Sequence, residues 1–209
     1  VNLYGGAISS GLIRGGVKES GSGIFVGNGA NIYLTGADTT MNIYGGLVDT
    51  GINESSAGGN IFLNTGANCY MYGGTVENGE VTNCGGNIYM TNTASRTLTI
   101  TGTVAIKDGF ARYKDTGTDT TDYPADGDTN NTKGGNIYIH GDTSARGYVV
   151  ISGGTISNGT ANLGGSIYCA GTMLISGAVC GIAGMLMVAG ILYGYDTPGD
   201  DTVKKAHYQ

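Results

Sequence analysis

The chain has 209 residues, of which 41 are glycine and 2 proline, 12% are charged and 40% hydrophobic, a balance that excludes a disordered polymer. The glycines do not recur at every third position, which excludes collagen, and the length suits one sizeable domain. Ten basic against sixteen acidic residues leave a net charge of −6, so a polyanion is repelled and nucleic-acid binding is not expected.

In chain order the sequence alternates two short motifs. It opens on "VNLYGGAISSG", already inside a motif, so any export signal is expected to lie outside it. The first motif is a glycine pair followed by Asn or Ser, Ile and an aromatic residue. It begins as the weak copy "SGIFV" around Ile24 and continues as "GGNIFL" (58–63), "GGNIYM" (85–90), "GGNIYI" (134–139) and "GGSIYC" (164–169). The second is apolar-x-apolar-x-Gly, in "MNIYGGLV" (41–48), "CYMYGGTV" (69–76), "LTITGTVAI" (98–106), "VVISGGTI" (149–156) and "MLISGAV" (173–179).

The spacing carries the fold. From Ile61 through Ile88 and Ile137 to Ile167 the first motif steps by 27, 49 and 30 residues. From Ile43 through Met71, Ile100 and Ile151 to Ile175 the second steps by 28, 29, 51 and 24. One period near 28 with a single insertion accounts for both series. Apolar residues alternate with period two and no stripe of period 3.6 competes, so the units are strands. The expected fold is all-β: a right-handed parallel β-helix of about six to seven coils over residues 1–195, with an acidic loop insertion at 107–133 and a polar tail at 196–209. A coil of this size buries too few apolar side chains to offset the ordering of its own backbone, so coils are stable only as a stack.

The alternation assigns the side chains. Inward rows are expected at Ile24/Val26, Ile61/Leu63, Ile88/Met90, Ile137/Ile139 and Ile167/Cys169, and at Met41/Ile43, Cys69/Met71, Leu98/Ile100, Val149/Ile151 and Met173/Ile175. A shorter third row holds Val48, Val76, Ile106, Ile156 and Val179. Between the first pairs lie Phe25, Phe62, Tyr89, Tyr138 and Tyr168, expected as an aromatic file on the outer surface, where it stiffens the stack or meets a sugar or protein partner. Glycine and asparagine serve the corners, and stacked Asn31 or Asn60, Asn87 and Asn136 have the groups to hydrogen-bond along the axis. Cys69 and Cys169 fall in core slots as small apolar residues. Cys84 and Cys180 are too distant in the chain for a disulfide to be expected, and free thiols suit an oxygen-poor habitat.

The stretches "TISNGTANLGGSIY" (155–168) and "TVENGEVTNCGGNIY" (75–89) resemble the repeats of bacterial cell-surface β-helix proteins, the polymorphic-membrane-protein-like and adhesin-like groups. Asn or Ser follows the glycine pair here where that family usually has Ala, and its Phe-x-x-Asn element is reduced to "VEN" and "ISN". The resemblance implies an extracellular or surface-displayed protein that serves in adhesion.

Other candidate sites are sparse. The 107–133 stretch holds six of the sixteen acidic residues, and Asp126, Asp128 and Asn130 stand at alternate positions from which a loop can turn three oxygens toward calcium. Asn131 stands where that loop type has Gly, and Ile137 where it has a bidentate Glu, so a solvated loop is the preferred reading and no other cofactor is expected. Polysaccharide lyases and hydrolases also use this scaffold, but acidic and basic groups cluster only at Asp108, Arg112, Lys114 and Asp115, so catalysis is not expected. His140, beside Asp142, reads as a surface residue. The run 173–195 is 23 residues without a charge, long enough to cross a bilayer, with Gly177, Gly181, Gly190 and Gly194 at small-xxx-small spacing. Its first residues repeat the second motif, so final coils covered by the tail or by another subunit are preferred to a membrane segment. The functional expectation is a non-catalytic extracellular solenoid that binds glycan or protein, or stacks end to end into a homo-oligomer or filament. The alternatives are a carbohydrate-active enzyme and a trimeric virion fibre.

Overall fold

A computed structural model describes residues 1–14, 27–54, 57–91, 97–112, 132–141 and 148–176, together with the backbone of strands Gly181–Ile182, Leu186–Val188, Ile191–Gly194 and Lys204–Ala206. No helix occurs among the described residues. The chain winds as a parallel β-helix of four sheets, with every strand pair parallel except the last.

Each coil begins with a four-residue strand, as in Thr40–Ile43, Asn68–Met71, Thr97–Ile100, Tyr148–Ile151 and Thr172–Ile175, and these stack into the long sheet. A glycine turn leads to a three-residue strand, as in Leu47–Asp49, Thr75–Glu77, Ala105–Lys107 and Thr155–Ser157. A two-residue strand follows, at Leu12–Ile13, Ile52–Asn53, Glu80–Val81 and Phe110–Ala111. The coil closes with a strand bearing the aromatic residues, at Ile32–Leu34, Ile61–Leu63, Ile88–Met90, Ile137–Ile139 and Ile167–Cys169.

The register follows the motif spacing. Ile43, Met71, Ile100, Ile151 and Ile175 are successive partners in the long sheet, and Ile61, Ile88, Ile137 and Ile167 in the aromatic-bearing sheet. Their side chains, with Val48, Val76, Ile106 and Ile156, form one continuous apolar core along the axis. Cys69 and Cys169 lie in that core as small apolar residues.

Four expectations need correction. In the first coil the strand paired with Ile61–Leu63 is Ile32–Leu34, so the inward pair is Ile32/Leu34, and Ile24, Phe25 and Val26 lie outside the described residues. The coil therefore takes up an additional segment between Ile13 and Ile32, a second insertion hidden by the decoy "SGIFV". Second, the 107–133 insertion is narrower: Lys107 and Phe110–Ala111 are strand residues, and Lys133 bridges Cys84 and Leu163 in the neighbouring coils. Both insertions interrupt the same side of the coil, between the two-residue strand and the aromatic-bearing one. Third, the partner of Ile156 is Ile182, while Val179 lies outside the described residues. Fourth, the two-residue strands make a fourth sheet of four strands in which Val81 and Ala111 are buried.

The uncharged run supplies Gly181–Ile182, Leu186–Val188 and Ile191–Gly194 to three sheets of the stack. No helix among the described residues is long and apolar enough to cross a membrane. Within the tail, Lys204–Ala206 pairs antiparallel with Ile191–Gly194 and covers that edge of the long sheet.

Candidate binding face

The recurring Gly-Gly-Asn is a corner device. After each three-residue strand one residue adopts a left-handed conformation: Ser10, Thr50, Asn78, Asp108 and Asn158, with φ of 64°, 55°, 53°, 55° and 53°. The glycine that follows, as at Gly51, Gly79 and Gly109, leaves no room for a Cβ against the facing glycine backbone. Into this corner the asparagine of the glycine-pair motif projects. Asn87 Oδ1 accepts from the Gly79 amide at 2.9 Å and from Asn60 Nδ2 at 2.8 Å, while its Nδ2 donates to the Lys107 carbonyl at 2.7 Å and to Asn136 Oδ1 at 2.8 Å. Asn31 donates to Asn60 at 2.6 Å, so four side chains form one file of hydrogen bonds along the axis, ending where Ser166 replaces Asn. Asn60, Asn87 and Asn136 are completely buried, and their amides meet backbone groups that the corner leaves without strand partners.

The described rings of the aromatic file are stacked but do not form an open surface. Phe62, Tyr89, Tyr138 and Tyr168 follow one another at 4.8, 5.1 and 5.4 Å between ring centroids. Phe62, Tyr138 and Tyr168 are buried, Tyr138 and Tyr168 pack with Cys84, Tyr89, Leu163 and Ala170 into a second small apolar cluster, and Lys133 Nζ stands 5.2 Å from the Tyr168 ring centre. Burial pushes the Tyr138 hydroxyl and the Cys84 thiol upward, the latter to about 11. The first described ring of the file is Tyr33, which is exposed and takes the place beside Phe62 that the sequence reading gave to Phe25. Apart from Tyr33, the file is a packing element.

A second aromatic row, which the sequence reading missed, is the exposed one. Tyr4, Tyr44 and Tyr72 immediately follow the strands of the long sheet. Their rings stack at 4.9 and 5.0 Å with interplanar angles of 8° and 9°, and they remain 72%, 45% and 40% exposed. The signal was present: "LYGG", "IYGG" and "MYGG" put tyrosine at the variable position before a glycine pair. Of those pairs, Gly5–Gly6 is exposed and Gly45–Gly46 half-buried, while Gly73 is buried, and a Cβ at Gly45 or Gly73 would meet the Tyr4 or Tyr44 carbonyl of the preceding coil at 2.8 or 2.6 Å. Gly6, Gly46 and Gly74 have φ of 81°, 91° and 90°, which explains the second glycine of each pair.

Beside the row the long sheet turns out Asn2, Thr40, Asn42, Asn68, Tyr70, Thr97, Thr99, Tyr148, Val150, Thr172 and Leu174, and none of these side chains is charged. Asn42 Nδ2 donates to Asn2 Oδ1 at 2.9 Å, and Asn68 Oδ1 accepts from the Thr97 amide at 2.9 Å. Charge gathers instead on the adjoining sheet and its corner. Lys107 pairs with Glu77 at 2.8 Å, Arg112 pairs with Glu80, and Asn78 donates to Asp49 at 2.9 Å. Hydrogen bonds from Thr50 and then Asn78 hold the Asp49 carboxyl below its ordinary range, and bonding to Glu77 raises the Lys107 ammonium.

The remaining candidates divide. Asp108 accepts from Asn158 Nδ2 at 3.1 Å and lies 3.6 Å from Lys107, whereas Arg112 is engaged by Glu80, so the structure does not bring Asp108 and Arg112 together. Lys114, Asp115, Asp126, Asp128, Asn130 and Asp142 lie outside the described residues. Among the described residues no group of three His, Cys, Asp or Glu side chains is placed to hold a metal. His140 donates its backbone N–H to Met90 and meets the Tyr138 ring edge-on at 5.9 Å.

Comparison of the chain with protein-family models, with curated proteins and with solved structures returns no match.

Proposed function

We propose that the protein is a non-catalytic, extracellular β-solenoid that works by holding a partner along the side of the stack, in the manner of a microbial cell-surface adhesin. The observation that carries this reading is the row of three stacked, exposed tyrosines beside outward side chains that, among those described from Asn2 to Leu174 of the long sheet, carry no charge, on a scaffold with its own continuous core. Contiguous exposed rings lose contact with water when a partner covers them, and a rigid sheet keeps them in place beforehand, which lowers the ordering cost of binding. The resemblance of 75–89 and 155–168 to bacterial surface repeats supports the same setting.

Self-assembly is the companion proposal. The long sheet ends on the antiparallel strand Lys204–Ala206, so end-to-end growth at that edge requires this strand to be displaced. The test of the functional reading is incubation with pectins, alginates and neutral glucans, followed by measurement of reducing ends, unsaturated products and bound polysaccharide. Retention without cleavage is the expected result; product release that persists in purified protein and scales with its amount overturns it.

A further inference from the structure

From the geometry of the tyrosine row we infer that its ligand is a neutral polysaccharide lying along the solenoid axis, with one flank against Tyr4, Tyr44 and Tyr72 and the other over the outward Asn and Thr side chains of the same coils of the long sheet. This rests on the binding role proposed above and specifies where and what it binds. Two independent features of the face point to the same chemistry.

The first is the exposed aromatic surface itself. Ring centroids are 4.9 and 5.0 Å apart with the rings nearly parallel, and Tyr4, Tyr44 and Tyr72 all remain exposed, so each leaves part of its surface to solvent. Such a row offers the apolar flank that the C–H face of a sugar needs at three successive coils. The second is the absence of charge among the described outward side chains of these coils, so an anionic glycan finds no cationic side chain among them, whereas a neutral one meets hydroxyls and amides from Asn2, Thr40, Asn42, Asn68 and Tyr70. The other aromatic file offers no such continuous exposed row, since Phe62, Tyr138 and Tyr168 are buried.

The experiment is affinity electrophoresis of the full chain in native gels containing soluble mixed-linkage β-glucan, neutral mannan or alginate, with Tyr44→Ala, Tyr72→Ala and Tyr33→Ala variants in parallel. Tyr33 is comparably exposed but stands on the aromatic-bearing sheet, away from the long sheet, and circular dichroism and melting curves report whether each variant keeps its fold. The expected result is retardation of the wild type by at least one neutral polysaccharide, weakened about tenfold in Tyr44→Ala and in Tyr72→Ala, with Tyr33→Ala and alginate without effect. Equal retardation of folded Tyr44→Ala and wild type overturns the assigned site while leaving a binding role elsewhere on the stack intact. Retardation by alginate alone, or by no polysaccharide, overturns the ligand class. Cleavage of the gel-embedded glucan overturns the non-catalytic reading on which the inference rests.

Discussion

At the scale of single residues, the corner asparagine and the corner glycine are the positions with least tolerance. Asn87 satisfies two groups of the adjacent backbone and links two further asparagines, so its truncation leaves the Gly79 amide and the Lys107 carbonyl buried without their partner. Asn87→Ala is expected to lose about 3 kcal/mol of unfolding free energy in urea titration. A Cβ at Gly86 would land on the Gly135 carbonyl and the Phe110 amide, both backbone, whereas one at Gly5 meets open space. Gly86→Ala is expected to cost about 3 kcal/mol and Gly5→Ala less than about 0.5 kcal/mol in the same measurement. Cys69 supplies a pH signature. Its complete burial raises the thiol from an ordinary value of 9.0 to about 12, so the neutral form is favoured in the folded chain. A group raised on folding contributes stability that is intact below its unfolded value and is lost as pH climbs toward the folded one. The stability of the wild type relative to Cys69→Val is therefore expected to be level below pH 9 and to fall between about pH 9 and 12. A difference that stays flat across that window would show the thiol to be solvated. The asparagines were legible as corner residues, because few other side chains tolerate such turns and bond along a stack. Their full set of partners was not, because it depends on backbone groups 8 to 27 residues away.

At the scale of strands, the inward rows were legible because burial on one face imposes a period of two, and a slip by one residue would expose the whole row. The pairings of Ile61, Ile88, Ile137 and Ile167 follow that pattern coil by coil. The fourth sheet was not legible, since strands of two residues, such as Glu80–Val81, are too short to show any period. The first-coil strand was misplaced because "SGIFV" imitates the motif more closely around its glycine than "ANIYL" does, although "ANIYL" retains the Asn that the corner requires. The binding face escaped for a different reason. Outward residues answer to no packing constraint, so a tyrosine before a glycine pair looks like any variable position until three of them are brought into one row. Core positions within a strand are expected to accept volume-conserving exchange. Met71→Leu should fold with a loss below about 1.5 kcal/mol, and Met71→Thr should lose distinctly more by burying an unpaired hydroxyl, as read by thermal melts.

At the scale of the whole molecule, stability is shared between neighbours, since a coil has no core except the one it makes with the coils around it. The antiparallel strand Lys204–Ala206 occupies an edge that parallel stacking would otherwise continue. Removing residues 196–209 is therefore expected to increase association, seen as longer particles in electron microscopy and a rise in scattering mass; an unchanged particle would show that the tail does not guard that edge. The acidic stretch that carries Asp126, Asp128 and Asn130 falls in chain order between the two-residue strand Phe110–Ala111 and the aromatic-bearing strand Ile137–Ile139, outside the described residues. The most direct measurement is tyrosine-selective chemical labelling of the full chain, mapped by mass spectrometry with and without saturating neutral β-glucan. The account predicts that Tyr4, Tyr44 and Tyr72 label readily in the free protein and are protected by the polysaccharide, while Tyr138 and Tyr168 stay unlabelled throughout. Unchanged labelling of Tyr44 and Tyr72 under conditions where the glucan is bound would contradict it.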